Sequence, residues 1–175
     1  MKKILLLSLT LCLILSGCPG KPLRGKNTKH IKSDNYRSMY DDTHSHGKHK
    51  NPDAYIEKGS PEDFAITAGN RILFPHNSYQ IKHEEQTILD HQIKWLSEYS
   101  EYEIILEGHC DERGTREYNI ALGEKRANAI KNYMINAGIE QHRIKIASYG
   151  KDKPSVEGHN EEAWKLNRRV VINIS

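Results

Sequence analysis

The sequence predicts an α/β sandwich over residues 63–175, one sheet with helices packed on it. Short apolar runs that stop at Gly or Pro alternate along the chain with longer segments of helical periodicity. Strand and helix signals in alternation bring the strands into a single sheet. A segment of ~110 residues is also long enough to bury a core without metals or disulfides.

Each element has its own signal. Ile72-Leu73-Phe74 is a short apolar run ended by Pro75, which reads as a brief strand. From His83 to Tyr99, Leu89, Ile93 and Leu96 fall on one helical face, with Ile88 and Trp95 beside them as core residues. Tyr102 to Gly108 reads as a second strand ending in glycine. A helix over 117–137 follows, stopped by Gly138. Arg143 to Tyr149 alternates as a strand should, and Gly150 ends it. A short helix over 161–166 and a strand over 169–174 close the chain.

The start of the chain reads differently. Lys2 and Lys3 precede an apolar run of 12 residues, Ile4 to Leu15. A bilayer span needs ~20 residues, so this run is an export signal and not a membrane helix. It is followed by Leu15-Ser16-Gly17-Cys18, which resembles the cleavage box of bacterial lipoprotein signals. The resemblance implies that residues 1–17 are removed and that Cys18 is lipidated. Stable anchoring takes two or more acyl chains, each contributing ~0.8 kcal/mol per buried CH₂. Pro19, where an inner-membrane retention Asp is absent, points to the outer membrane. The domain then faces the periplasm. Cys12 leaves with the signal, so Cys110 has no intramolecular disulfide partner.

Residues 18–62 form the lipidated cysteine and a flexible linker. They are rich in Lys, His, Ser, Asp, Asn and Gly, and lack apolar periodicity, so they bury too little surface to order themselves. A coil of this length has an r.m.s. span of ~35–40 Å. His30, His44, His46 and His49 are metal-ligand types. A linker lacks the fixed geometry and outer-sphere support of a metal site, so no functional metal is expected.

Composition excludes other classes. The formal charge is +3, and without Lys2 and Lys3 it is 24 basic against 23 acidic residues. A charge near zero gives no general drive toward nucleic acid. One long apolar run excludes a multi-pass membrane protein.

The chemistry concentrates between Gly108 and Ala127, where a strand end, a loop and a helix start meet. Ligands of open α/β sheets bind near the carboxyl ends of strands. Asp111, Glu112, Arg113, Arg116 and Glu117 crowd the loop. Asn119, Leu122 and Arg126 share one helix face. A carboxylate accepts from an ammonium, and a guanidinium donates to a carboxylate, so Asp111 and Arg126 suit a zwitterion. An internal Asp111–Arg126 or Glu–Arg salt bridge uses the same residues equally well.

The ordered motifs Gly108-His109-Cys110-Asp111-Glu112-Arg113-Gly114-Thr115, Tyr118-Asn119, Leu122 and Arg126-Ala127 resemble the OmpA-like peptidoglycan-binding domain. Ala147-Ser148-Tyr149-Gly150-Lys151, Pro154, Gly158-His159 and Asn167-Arg168-Arg169 extend the likeness over residues 70–175. More narrowly, signal, linker and domain together resemble the peptidoglycan-associated lipoproteins of the Tol-Pal system, which serve envelope integrity and cell division. The resemblance implies an OmpA-like α/β sandwich with a small mixed sheet. It implies no enzyme activity, no cofactor and no metal. The implied ligand is the peptidoglycan stem peptide at diaminopimelate, whose side chain ends in a zwitterion. Asp111 would bind the ammonium and Arg126 the carboxylate. Arg113 and Thr115 would add polar contacts, Leu122 and Ala127 would line the helix side, and Asn77, Ser78 and Tyr79 would form the opposite wall. A periplasmic β-propeller protein of the Tol system is the implied protein partner, and Arg168-Arg169 could face it, face the groove, or be solvated. The chain departs from the family pattern at Asn77, where Asp is common, at Pro75 and His76, and at Cys110.

Two alternatives accompany this reading. One is wall anchoring outside any Tol system. The other is a periplasmic enzyme acting on muropeptides, built on His109, Cys110 and Asp111 with His142 or His159 as a distant base. Adjacent strand residues point to opposite sides, which argues against a His109–Cys110 pair.

Overall fold

The structure is a computed structural model and describes residues 56–175. The signal segment, Cys18, the linker histidines and most of the linker lie outside the described residues. No helix among the described residues is long and apolar enough to cross a membrane.

The elements run α1 (Pro61–Thr67), β1 (Arg71–Leu73), α2 (His83–Glu98), β2 (Ile104–His109), α3 (Arg116–Asn136), a 3₁₀ turn (Gln141–Arg143), β3 (Ile144–Gly150), α4 (Glu161–Asn167) and β4 (Arg169–Ile174). The sheet order is β1-β4-β2-β3. β4 lies antiparallel to β1 and to β2, while β2 and β3 are parallel. The sheet is therefore small and mixed, as the family resemblance implies.

Alternation sorts the strands into two faces. Ile104 and Leu106 of β2, and Val170 and Ile172 of β4, turn inward and meet Leu89, Ile93 and Leu96 of α2 and Ile130 and Met134 of α3 in one core. Ile105, Glu107 and Val171 face the other way and stay half-buried. Trp95 is buried and tilts against Phe64 with ring centroids 5.0 Å apart.

Helix α1 has no counterpart in the sequence reading, which placed 18–62 in the linker. Its start carries a local signal nonetheless. The Ser60 hydroxyl accepts from the Asp63 amide at 3.1 Å, and the Asp63 carboxylate accepts from the Gly59 amide at 2.9 Å. This is a variant of the capping box, its return bond reaching the residue before the cap, with Pro61 at the first helical position. Asp63 also takes the Trp95 indole N–H at 3.0 Å, which ties the helix to the core.

Helix α3 lies directly on β2 because both carry glycine at the crossing. A Cβ on Gly108 would stand 2.0 Å from the Gly123 carbonyl oxygen. Arg143 fastens the end of α2, donating to the carbonyls of Leu96, Tyr99 and Tyr102 at 3.0–3.2 Å.

Candidate functional site

The C-terminal end of β2 leads into the loop 110–115, and Thr115 starts α3 by accepting from the Tyr118 amide at 3.2 Å. Across from this turn, residues 75–78 leave β1. The two segments enclose a cavity of about 310 Å³, lined by His76, Asn77, Cys110, Asp111, Arg113, Gly114, Tyr118, Asn119, Leu122 and Arg126. Of the residues named from sequence, Asp111, Arg126, Arg113, Leu122 and Asn77 meet here. Thr115, Ser78, Tyr79 and Ala127 do not line the cavity. Thr115 caps the helix, and Ala127 is fully buried in the core. Ser78 serves through its carbonyl, and Tyr79 is about half exposed beside Lys125.

Asp111 is 4% exposed and lies among cations. Its Oδ1 accepts from the Arg113 amide at 3.1 Å and Arg113 Nε at 3.2 Å. Its Oδ2 accepts from Arg113 Nη2 at 2.7 Å and from Arg168 Nη1 at 3.3 Å. Burial alone would raise this carboxyl, but the Arg113 side chain and amide, with Arg168, outweigh it and hold Asp111 at about 2.

Arg126 is fully buried, yet its partners are neutral. Nε donates to the Ser78 carbonyl at 2.9 Å, Nη1 to the His109 carbonyl at 2.8 Å and to Cys110 Sγ at 3.4 Å, and Nη2 to the Pro75 carbonyl at 3.1 Å. Phe74 supports the guanidinium at 5.4 Å. Among the described residues no carboxylate pairs with it within 4 Å. Burial lowers its proton affinity. The four bonds use four of the five N–H donors of a guanidinium, leaving one on Nη2. The internal Asp111–Arg126 salt bridge, one of the two sequence readings, is therefore not formed. Asp111 pairs with Arg113 and Arg168 instead.

Arg168 is buried too, and none of the three placements envisaged for the Arg168-Arg169 pair describes it well. Its Nε donates to the Phe74 carbonyl at 3.1 Å and its Nη2 to Glu161 at 2.6 Å. Arg169 is buried and donates to the Asn167 and Lys153 carbonyls.

His109 and Cys110 diverge. His109 is buried against Tyr149, with ring centroids 5.5 Å apart, and burial brings its imidazole down to about 3. Cys110 turns to α3, donates to the Asn119 carbonyl at 3.3 Å, and burial pushes its thiol up to about 11. Neither group carries the charge of a thiolate–imidazolium pair. His159 lies against Glu112 at 2.7 Å, and His142 near Glu140 at 3.7 Å.

Sequence reasoning missed Tyr118, Asn119, Gly114, His76 and Cys110 as cavity-lining residues. Helical spacing placed Asn119 on the face shared with Leu122 and Arg126, without carrying it into the predicted site. Its Nδ2 donates to the Arg113 carbonyl at 2.8 Å and fixes the loop. The Tyr118 hydroxyl reaches across to Asn77 Oδ1, a contact between segments that no local pattern announces.

A model described as the OmpA family matches residues 73–168. A peptidoglycan-associated lipoprotein of Mesorhizobium japonicum is 44% identical over 117 residues, 67% of this chain and 70% of that protein. One of Rhizobium meliloti is 45% identical over 113 residues, 65% of this chain and 64% of that protein, just under two thirds of its length. The crystal structure of the peptidoglycan-associated lipoprotein from Burkholderia pseudomallei is similar, with a TM-score of 0.62 at 31% identity over 66% of this chain and 100% of that one. The C-terminal domain of Helicobacter pylori MotB, at 20% identity and a TM-score of 0.57, shares the fold.

Proposed function

This chain belongs to the OmpA family, and from that premise we propose that it is a non-catalytic binder of the peptidoglycan stem peptide. The ligand group is the side-chain zwitterion of diaminopimelate. Its ammonium goes to Asp111 and its carboxylate to Arg126. Lipidated Cys18 anchors the chain in the outer membrane, and the domain links that membrane to the cell wall as the Pal component of a Tol system.

One observation carries the reading. Arg126 is a buried cation with no acidic partner among the described residues, and it lines the cavity that also holds Asp111. Buried charges are ordinarily paired. A ligand carboxylate on the remaining Nη2 proton supplies the missing counter-charge. The names of the relatives support the ligand class, since those proteins are peptidoglycan-associated lipoproteins.

The test is calorimetry of the full-length protein in detergent with two stem peptides. One carries diaminopimelate. The other carries lysine, which keeps the ammonium and lacks the carboxylate. A charged hydrogen bond contributes ~1.5–3 kcal/mol, so the lysine peptide should bind roughly ten- to a hundredfold more weakly. Equal affinities would refute the Arg126 role. No binding of either peptide would turn the search to a protein partner.

A further inference from the structure

The ammonium seat on Asp111 is already taken by a cation of the chain itself. Arg113 donates to both carboxylate oxygens, Nε to Oδ1 at 3.2 Å and Nη2 to Oδ2 at 2.7 Å. Resting on the reading above, we propose that Arg113 is an internal competitor for the ligand's ammonium, a self-occupying contact that must leave before the site is filled.

Four observations single out Arg113 for this role. First, the side chain of Arg113 is 33% exposed, whereas that of Arg168, the other cation on Asp111, is 6% exposed. Arg168 is further held by the Phe74 carbonyl and Glu161, so it stays and keeps Asp111 ionised. Second, the backbone of Arg113 is fixed at both ends of the residue, its amide on Asp111 and its carbonyl on Asn119 Nδ2. Displacement therefore moves only the side chain.

Third, a second seat is built beside the first. The guanidinium already lies over the Trp164 ring at 4.0 Å, and Glu161 Oε2 is 3.9 Å from Nη2. Arg168 takes the other oxygen of Glu161, so Oε2 is the one left for Arg113. A short swing across Trp164 exchanges one carboxylate for another and leaves no charge stranded. Fourth, the remaining side-chain contact of Arg113 on the cavity side is His76 Nδ1, 3.0 Å from Nη2. His76 is exposed and lines the same cavity, so a ligand that fills the cavity competes with this bond as well.

The consequence is opposite in sign to that of an ordinary contact residue. Arg113→Met keeps the apolar stem against Trp164 and removes the competing head. Where a site is self-occupied about nine-tenths of the time, emptying it raises apparent affinity about tenfold. The experiment is calorimetry of the full-length protein and its Arg113→Met variant with the diaminopimelate stem peptide. Alongside it, NMR follows the Nε–H signal of Arg113 in the wild type. Binding about tenfold tighter in the variant, with the Nε–H signal shifting as the wild type is saturated, supports the inference. Equal or weaker binding by the variant, or an Nε–H signal unmoved in the saturated wild type, overturns it and leaves the wall-binding reading standing. If neither protein binds the peptide, the wall-binding reading falls and the competitor role falls with it.

Discussion

Removing the guanidinium of Arg126 should cost fold stability before it costs any ligand. From α3 the side chain fastens two other segments through three backbone carbonyls, Pro75 and Ser78 on one wall and His109 at the end of β2. Arg126→Met keeps the stem packed near Phe74 and deletes every donor. Each hydrogen bond to a charged group contributes ~1.5–3 kcal/mol. Pro75 and Ser78 are half-buried and regain water, while the buried His109 carbonyl does not. Loss of the unpaired charge offsets part of the cost. The net expectation is about 3 kcal/mol, a large share of the ~5–15 kcal/mol that holds a domain. Arg126→Lys keeps the charge but cannot reach three carbonyls from one ammonium, so it should recover no more than about 1 kcal/mol of this. Both tryptophans, Trp95 and Trp164, lie among the described residues, so their fluorescence in urea reports the unfolding. With a slope of ~2 kcal/mol per molar, the midpoint of Arg126→Met should fall by about 1.5 M. A midpoint within about 0.3 M of the wild type, or full rescue by lysine, would refute the carbonyl-bracket argument.

Asp111 gives an acid-side prediction. Its carboxyl lies near 2 in the folded chain against an ordinary 3.8, so its contribution is complete above the ordinary value and is lost as pH falls through the folded one. That share is about 2 kcal/mol, and in Asp111→Asn the stability should fall less steeply between pH ~4 and ~2. Parallel acid-unfolding curves would remove Asp111 from the account. At the α3–β2 crossing, Gly108→Ala should cost at least about 3 kcal/mol, because its Cβ meets the Gly123 carbonyl at 2.0 Å. Gly123→Ala should cost less, since its nearest neighbour is the Ser148 hydroxyl at 2.5 Å, which can turn at the cost of its bond to the Ile120 carbonyl, and the nearest backbone atom is the Gly108 carbonyl oxygen at 3.0 Å. Thermal melts rank the two, and a reversed order contradicts the packing. Thr115→Ala should cost about 1 kcal/mol through the lost helix cap and leave stem-peptide affinity within twofold. A larger loss of affinity, measured by calorimetry, would place the hydroxyl on the ligand.

Most elements were legible because their signals are local. The predicted strand at 169–174 is β4, Arg169–Ile174, and the helix placed at 117–137 is α3, Arg116–Asn136. Helix α1 was legible in Ser60-Pro61-Glu62-Asp63, but its seven residues bury only Phe64, too little periodicity to stand out. Strand order was not legible, since β4 enters between β1 and β2 through pairings that no spacing encodes. At the site, residue types revealed a carboxylate and a guanidinium near one groove. They could not reveal which of several arginines Asp111 pairs with, because Arg168 reaches it from 57 positions along the chain. Nor could they show that carbonyls of a distant segment would occupy Arg126.

The two halves of the proposed clamp are therefore prepared in opposite ways. Around Asp111 and Glu161, the charges of Arg113 and Arg168 are matched. Around Arg126 they are not, and its neighbours supply only dipoles. A ligand ammonium thus replaces one ion pair with another and gains little by the exchange. A ligand carboxylate meets a desolvated cation that has no ion pair to give up. On this arrangement the carboxylate drives binding and the ammonium selects. A plain amine must displace Arg113 with nothing gained at Arg126, and a plain carboxylate leaves Arg113 seated on Asp111. Under this proposal only a ligand carrying both groups at the right separation would use both halves of the cavity, and the pair would distinguish an amino acid head group from either of its parts.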